Sequence, residues 1–203
     1  IHQKMEDLPT GLAQKAEILE EINRTVRVFD SLLDISLTEA QKGQASGMKP
    51  VDLSLLVAEI CDLYEPLSED KNLTYVSDVT PDLQVVGNQS LLAQLLSNLL
   101  DNAIKFTRAG DTIETRLRLS QNRVVLTVRD TGPGMPKDIG ASAFEKFVRS
   151  ERDRATEGHG LGLALVHAIA TRHGAKLTLP ETKNGFAIEV SWDRFDPDKP
   201  RKS

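Results

Sequence analysis

The chain has 203 residues, 39% apolar and 27% charged, long enough to bury a core without disulfides or metals and ordinary for a globular protein. Its 25 Lys and Arg against 30 Asp and Glu give a net charge of −5, which argues against a general nucleic-acid binder, because that function needs a basic face to displace counterions. No apolar run approaches the ~18–20 residues that span a bilayer, the start carries no signal-peptide pattern, and the single cysteine, Cys61, excludes an intramolecular disulfide and a cysteine-rich zinc site and fits a reducing, cytoplasmic setting.

Residues 1–42 differ from the rest. Pro9 and Gly11 mark a turn, so residues 1–7 read as the end of a preceding antiparallel helix. From 11 to about 42 there is no proline, and Leu12, Leu19, Val26, Leu33 and Ala40 recur seven apart. Ile22, Phe29 and Ser36 fall on the same stripe, in the alternating steps of three and four of an amphipathic helix. At ~1.5 Å per residue such a helix spans about 46 Å. With further apolar residues at Val28, Leu32 and Ile35, it favours a dimeric helical bundle over a core helix of one globular domain.

Residues 43–50, Gly-Gln-Ala-Ser-Gly-Met-Lys-Pro, break the pattern and read as a linker and domain boundary. Asp52 is placed to cap a helix reaching about Glu69, which Pro66 could kink or end early. Residues 73–79 alternate as a strand, and Asn88 is placed to cap a second helix with a wide leucine face. Residues 112–119 and 123–129 read as two strands joined across 120–122. Residues 131–159 form a long Gly-, Pro- and charge-rich loop, a length that marks function or disorder. A helix over 161–173 stops at Gly174, strands over 176–179 and 186–192 close the fold, and 194–203 reads as a charged, frayed tail. The region 51–193 is thus α+β, with helices covering one face of a mostly antiparallel sheet.

Four clusters carry chemistry. Asn98, Asn102 and Lys105 share one helix face beside a solid leucine face; amide oxygens suit Mg²⁺ and an ammonium suits phosphate, although such residues alone could form a solvated polar face. Asp130-Thr-Gly132-Pro-Gly134 follows a strand directly and makes a tight turn that another group can approach. Phe144-Glu-Lys-Phe147-Val-Arg149 places two aromatics in a polar loop, which they should anchor. Gly158-His159-Gly160-Leu161-Gly162 opens a helix, where exposed N–H groups and the helix dipole favour an anion. It is neither a Walker motif nor a dinucleotide fingerprint.

Taken together and in this order, the clusters resemble those of two-component sensor histidine kinases. "NLLDNAIKF" is similar to the asparagine box of that family, "DTGPGM" to its first glycine box, "FEKFVR" to its phenylalanine box and "GHGLGLALV" to its second glycine box. "SLLDISLTEA" resembles the end of the second dimerisation helix. The resemblance runs from about 11 to 192. It implies an N-terminal helical hairpin fragment of a dimeric four-helix bundle, over 1–42. It implies an ATP-binding α/β sandwich of the histidine kinase, gyrase, Hsp90 and MutL type over 51–193.

The resemblance also implies residue roles. Asn102 would ligate the Mg²⁺ that bridges the ATP phosphates. Asn98 would sit beside the phosphates or a metal-bound water, Lys105 would bind phosphate and Phe106 would line the nucleotide pocket. Asp130 would accept a hydrogen bond from the adenine amino group; guanine presents an oxygen there, which repels a carboxylate. Gly132 and Gly134 would turn over the base, and 135–157, with Phe147, would form the lid. Arg149 would reach the terminal phosphate, where growing charge needs a cation. Backbone N–H groups around His159, Gly160, Leu161 and Gly162 would cradle the phosphates.

In the related ATPases a Glu four residues before the metal-binding Asn activates water. Here that position is Asn98, and an amide cannot accept the proton. This favours phosphoryl transfer to a protein side chain over hydrolysis; the resemblance implies that the acceptor is a histidine, with a non-catalytic dimeric scaffold holding a vestigial nucleotide fold as the alternative. His159, His167 and His173 belong to the nucleotide domain and His2 lies in the wrong context. The acceptor is therefore expected roughly ten residues upstream of Ile1. The implied partners are a second copy, through the N-terminal helices, and the receiver domain of a response regulator. Membrane attachment would come only through upstream segments.

Overall fold

The computed structural model describes residues 47–136, 139–148 and 160–196. The bundle expected over 1–42, the first half of the 43–50 linker, Arg149, His159 and the end of the tail lie outside the described residues.

Chain order is β1 (Lys49–Asp52), α1 (Leu53–Glu69), β2 (Thr74–Val79), β3 (Gln84–Gly87), α2 (Gln89–Phe106), β4 (Thr112–Ser120), β5 (Arg123–Asp130), a 3-10 turn (Gly140–Ser142), α3 (Gly162–Arg172), β6 (Lys176–Thr178) and β7 (Ala187–Asp193). The main sheet has the order β2-β4-β5-β7-β6. β2 runs parallel to β4 and the other neighbours are antiparallel. β1 and β3 form a separate antiparallel ribbon. Strand alternation sends Ile113 and Leu117 of β4, Val124, Leu126 and Val128 of β5, and Ile188, Val190 and Trp192 of β7 into the core. There they meet Leu53, Val57 and Ile60 of α1, Leu92, Leu95, Leu96, Leu99 and Leu100 of α2, and Leu165, Val166 and Ile169 of α3. No described helix is long and apolar enough to cross a membrane.

The caps are where the residue types place them. Asp52 accepts the Leu55 N–H at 2.9 Å, and Asn88 accepts the Leu91 N–H at 3.1 Å. α1 continues through Pro66 to Glu69; Pro66 faces solvent, so water can satisfy the carbonyl that loses its partner. The helix then stops in a left-handed turn at Asn72, with the Leu73 N–H on the Ser68 carbonyl at 3.0 Å. α3 ends the same way at Gly174, with Ala175 N–H on Ala170 O at 2.9 Å.

Two expectations need correction. Lys49 and Pro50 are not linker: they pair with Gly87 and Val86 in the small ribbon, whose four-residue strands carry too little alternation to be read, and Pro50 falls on an edge where its missing N–H is tolerated. The tail does not fray at 194, because the Phe195 N–H bonds the Gln84 carbonyl at 2.9 Å.

Candidate functional site

α2 turns its leucines to the core and keeps Asn98, Asn102 and Lys105 half-buried on its flank. Asn98 donates its amide Nδ2 to the Gln94 carbonyl at 2.8 Å, which orients its Oδ1 away from the helix. That oxygen faces the start of α3: a Cβ at Gly162 would lie 3.4 Å from Asn98 Oδ1 and 3.2 and 3.5 Å from Asn102 Nδ2 and Oδ1. The fold thus brings two clusters sixty residues apart in the chain to one place, with glycine leaving room for a third group between amides and helix N-terminus.

The other end of the cleft is built by β5. Its inward residues are Val124, Leu126, Val128 and then Asp130, so strand parity carries a carboxylate onto an apolar face. Asp130 is buried, and burial pushes its carboxyl above the usual carboxylate range. The N–H groups of Gly132 and Phe186, which bond Oδ1 at 2.9 and 3.3 Å, pull the other way; so does Arg129, while Asp111 adds to the rise. Both bonds fall on Oδ1. A Cβ at Gly132 would stand 3.1 Å from that oxygen and 3.3 Å from the Phe106 carbonyl, so the 130–134 loop abuts the C-terminal end of α2. From Asn98 to Thr107 the helix rises about 13 Å, a span on the scale of a nucleotide laid from base to phosphates.

The remaining predicted residues have different surroundings. Lys105 Nζ lies 4.9 Å from the centre of the Phe106 ring, and Phe106 is 38% exposed. Gly160 has φ +69°, and its carbonyl accepts the Phe147 N–H at 3.0 Å, which ties the phenylalanine box to the second glycine box. Leu161 is a core side chain, so only its backbone is offered to the cleft. The two aromatics do not both anchor the loop. Phe144 stacks on His167 with ring centres 5.6 Å apart, but Phe147 is 57% exposed and holds φ +66°, a rare conformation for a bulky residue. Arg149 and His159 lie outside the described residues.

Three contributors escape the sequence reading. Gly185 and Phe186 back Asp130 through contacts across more than fifty residues, and Thr107 buries a hydroxyl with no hydrogen-bond partner beside Gly132. Only the Asn184-Gly185 turn left a trace in the sequence, and a turn signal carries no function.

Known proteins are similar to this chain in sequence and fold. Residues 87–195 match the family model described as histidine kinase-, DNA gyrase B-, and HSP90-like ATPase. The adaptive-response sensory kinase SasA of Synechocystis is 32% identical over 178 residues, 85% of this chain and 46% of that protein. The probable sensor histidine kinase TcrY of Mycobacterium tuberculosis is 30% identical over 201 residues, 96% of this chain and 42% of that protein. Among solved structures, the mycobacterial sensor histidine kinase MprB superposes with a TM-score of 0.62 at 29% identity, covering 72% of this chain and 97% of its own. Full-length ShkA in complex with AMPPNP gives 0.75 at 27% identity, covering 92% and 40%. The chain therefore spans about half the length of the curated relatives it matches. With the family model covering more than half of the sequence, the chain belongs to the histidine kinase-, DNA gyrase B- and HSP90-like ATPase family.

Proposed function

We propose that this chain is the kinase core of a two-component sensor histidine kinase: it binds Mg-ATP and passes the γ-phosphoryl group to a histidine of the dimerisation bundle, from which a response-regulator aspartate receives it. The observation that carries this reading is the apposition of Gly162 to Asn98 and Asn102, an anion-accepting helix start facing amide oxygens.

The donor set fits magnesium, because hard oxygen ligands on one side and space for phosphate on the other match a cation that keeps few protein ligands. Asn102, with Asn98 beside it, would hold Mg²⁺, which neutralises phosphate charge when bound. Asp130 Oδ2 accepts the adenine amino group, since Oδ1 is already occupied by two backbone donors. Lys105 and the N–H groups from His159 to Gly162 bind phosphates, Phe106, Gly132, Gly134 and Phe147 enclose the nucleotide, and Arg149 stabilises the terminal phosphate in the transition state. The histidine ring nitrogen forms the new P–N bond as the bond from the γ-phosphorus to the bridging oxygen breaks, and ADP leaves with the electron pair. Asn98 cannot deprotonate water, which disfavours hydrolysis. Residues 1–42 supply the homodimer and the face that the response regulator reads.

The test is a chain extended upstream to include the acceptor, incubated with γ-labelled ATP. Acid-labile label that disappears in Asn102→Ala is expected. Absence of such label, or steady ATP hydrolysis in its place, would refute the kinase reading.

A further inference from the structure

The loop that follows β5 does not stand alone: it wraps around the backbone of Gly185. A Cβ on Gly185 would overlap the Asp130 carbonyl and lie 2.8 Å from Thr131 Cα, and a Cβ on Gly134 would lie 2.8 Å from the Gly185 carbonyl. Both glycines have positive φ, +77° and +72°. The neighbour, Phe186, bonds the same aspartate twice: its carbonyl accepts the Asp130 N–H at 2.9 Å, and its N–H donates to the side-chain Oδ1 of Asp130 at 3.3 Å. The turn is itself pinned, because the Thr182 hydroxyl donates to the Gly185 carbonyl at 2.8 Å.

We propose that the Thr182–Gly185 turn is the positioning element that sets purine selectivity, holding the Asp130 carboxylate in the one rotamer that presents Oδ2 to the base. The inference rests on the reading of Asp130 as the adenine acceptor. Two donors fix Oδ1, and one of them, the Phe186 N–H, is aimed by a turn in a conformation that only glycine adopts readily. Release of the Gly185 carbonyl lets the turn relax, and the Phe186 N–H, already at 3.3 Å, is the first bond lost. The carboxylate then swings about its remaining donor, and a hydrogen bond that depends on direction is weakened. Phosphate contacts at the far end of the cleft are untouched.

The experiment is calorimetric titration of the chain as it stands with ATP and with inosine triphosphate, which replaces the amino group by an oxygen. Wild type should prefer ATP. Thr182→Val, which keeps side-chain volume and removes only the donor, should cut that preference about five- to tenfold, the worth of one hydrogen bond. Inosine triphosphate affinity should hold, and Thr182→Ser should restore the ratio. Gly185→Ala should abolish the preference; if it fails to fold, the threonine pair still decides the matter. In Thr182→Val the acid limb of ATP binding should also move to higher pH, since loss of a donor to a carboxylate raises its pKa. An unchanged ratio in Thr182→Val, or equal losses for both nucleotides, overturns the proposal while a discriminating wild type leaves the Asp130 reading standing. A wild type that binds both nucleotides alike overturns both.

Discussion

Gly162 and Asn102 meet across the α2–α3 contact so closely that a methyl group on the glycine would stand 3.2 Å from the asparagine amide nitrogen. Gly162 has no positive φ, so its conformation does not require glycine; the space does. Gly162→Ala should therefore change thermal stability by no more than about 1 kcal/mol, because alanine's better helix propensity is opposed by the cost of displacing the two amides. The amides of Asn98 and Asn102 must yield by a few tenths of an ångström, and Mg-ATP affinity should fall about tenfold. Calorimetry beside thermal denaturation measures both. Unchanged affinity would separate these amides from nucleotide binding.

Asp130 is costly to the fold, and the proposed function makes it the acceptor of the adenine amino group. Its carboxylate is buried with its pKa raised by desolvation, so Asp130→Asn removes a buried charge while the amide oxygen can still accept from Gly132 and Phe186. Stability at neutral pH should hold or rise. The new amide nitrogen would face the adenine amino group, donor against donor, and ATP binding should weaken by about 1–3 kcal/mol. Inosine triphosphate, which offers an oxygen there, should gain on ATP. A parallel loss for both nucleotides would contradict the assigned contact.

The helices and long strands were legible because each carries its own period and cap: leucines on one face of α2 behind Asn88, and alternation along β4 and β5. Asn98, Asn102 and Asp130 were legible as types in an order. Their convergence was not, because the contact between Gly162 and Asn102 belongs to tertiary packing. The ribbon of β1 and β3 was missed since four residues beside a proline give alternation no room. Thr182 and Gly185 were invisible for a different reason: their function is a backbone position, held by residues that locally spell only a turn.

The segment Gly140–Ser142 and its neighbours hang on Phe144, whose ring stacks on His167 of α3 and packs against the core. Phe144→Ala should cost about 1–3 kcal/mol and should speed amide exchange through 139–148 before the sheet opens. Phe147, exposed and at φ +66°, should behave in the opposite way: Phe147→Gly should keep or raise stability by about 1 kcal/mol as strain is relieved. Equal opening of the segment by both variants would show that the two aromatics share the anchoring.

His173 joins the far ends of the two site helices. Its Nε2 accepts the Asn88 N–H at 3.0 Å and its Nδ1 lies 2.7 Å from the Ile169 carbonyl, an arrangement that needs the neutral ring with its proton on Nδ1. Burial, with the charge of adjacent Arg172, pulls its pKa below the ordinary value, against the two backbone hydrogen bonds. The unfolded chain then binds a proton that the folded chain resists. Stability from this group is complete above about pH 6.5 and drains away as the pH falls from there towards the folded pKa. Asp130, with a raised pKa, contributes with the opposite sign, so the comparison must be between variants across one pH series. Trp192, the single tryptophan, is 2% exposed and reports unfolding by fluorescence. Between pH 7.5 and 5, His173→Gln should lose stability less steeply than wild type, because glutamine does not titrate. His173→Ala should cost about 1–3 kcal/mol even at pH 7.5, because it strips the part-buried Asn88 N–H of its partner, although the Ile169 carbonyl keeps the backbone N–H of residue 173. Parallel pH curves for wild type and His173→Gln would show that the imidazole is not the group that titrates.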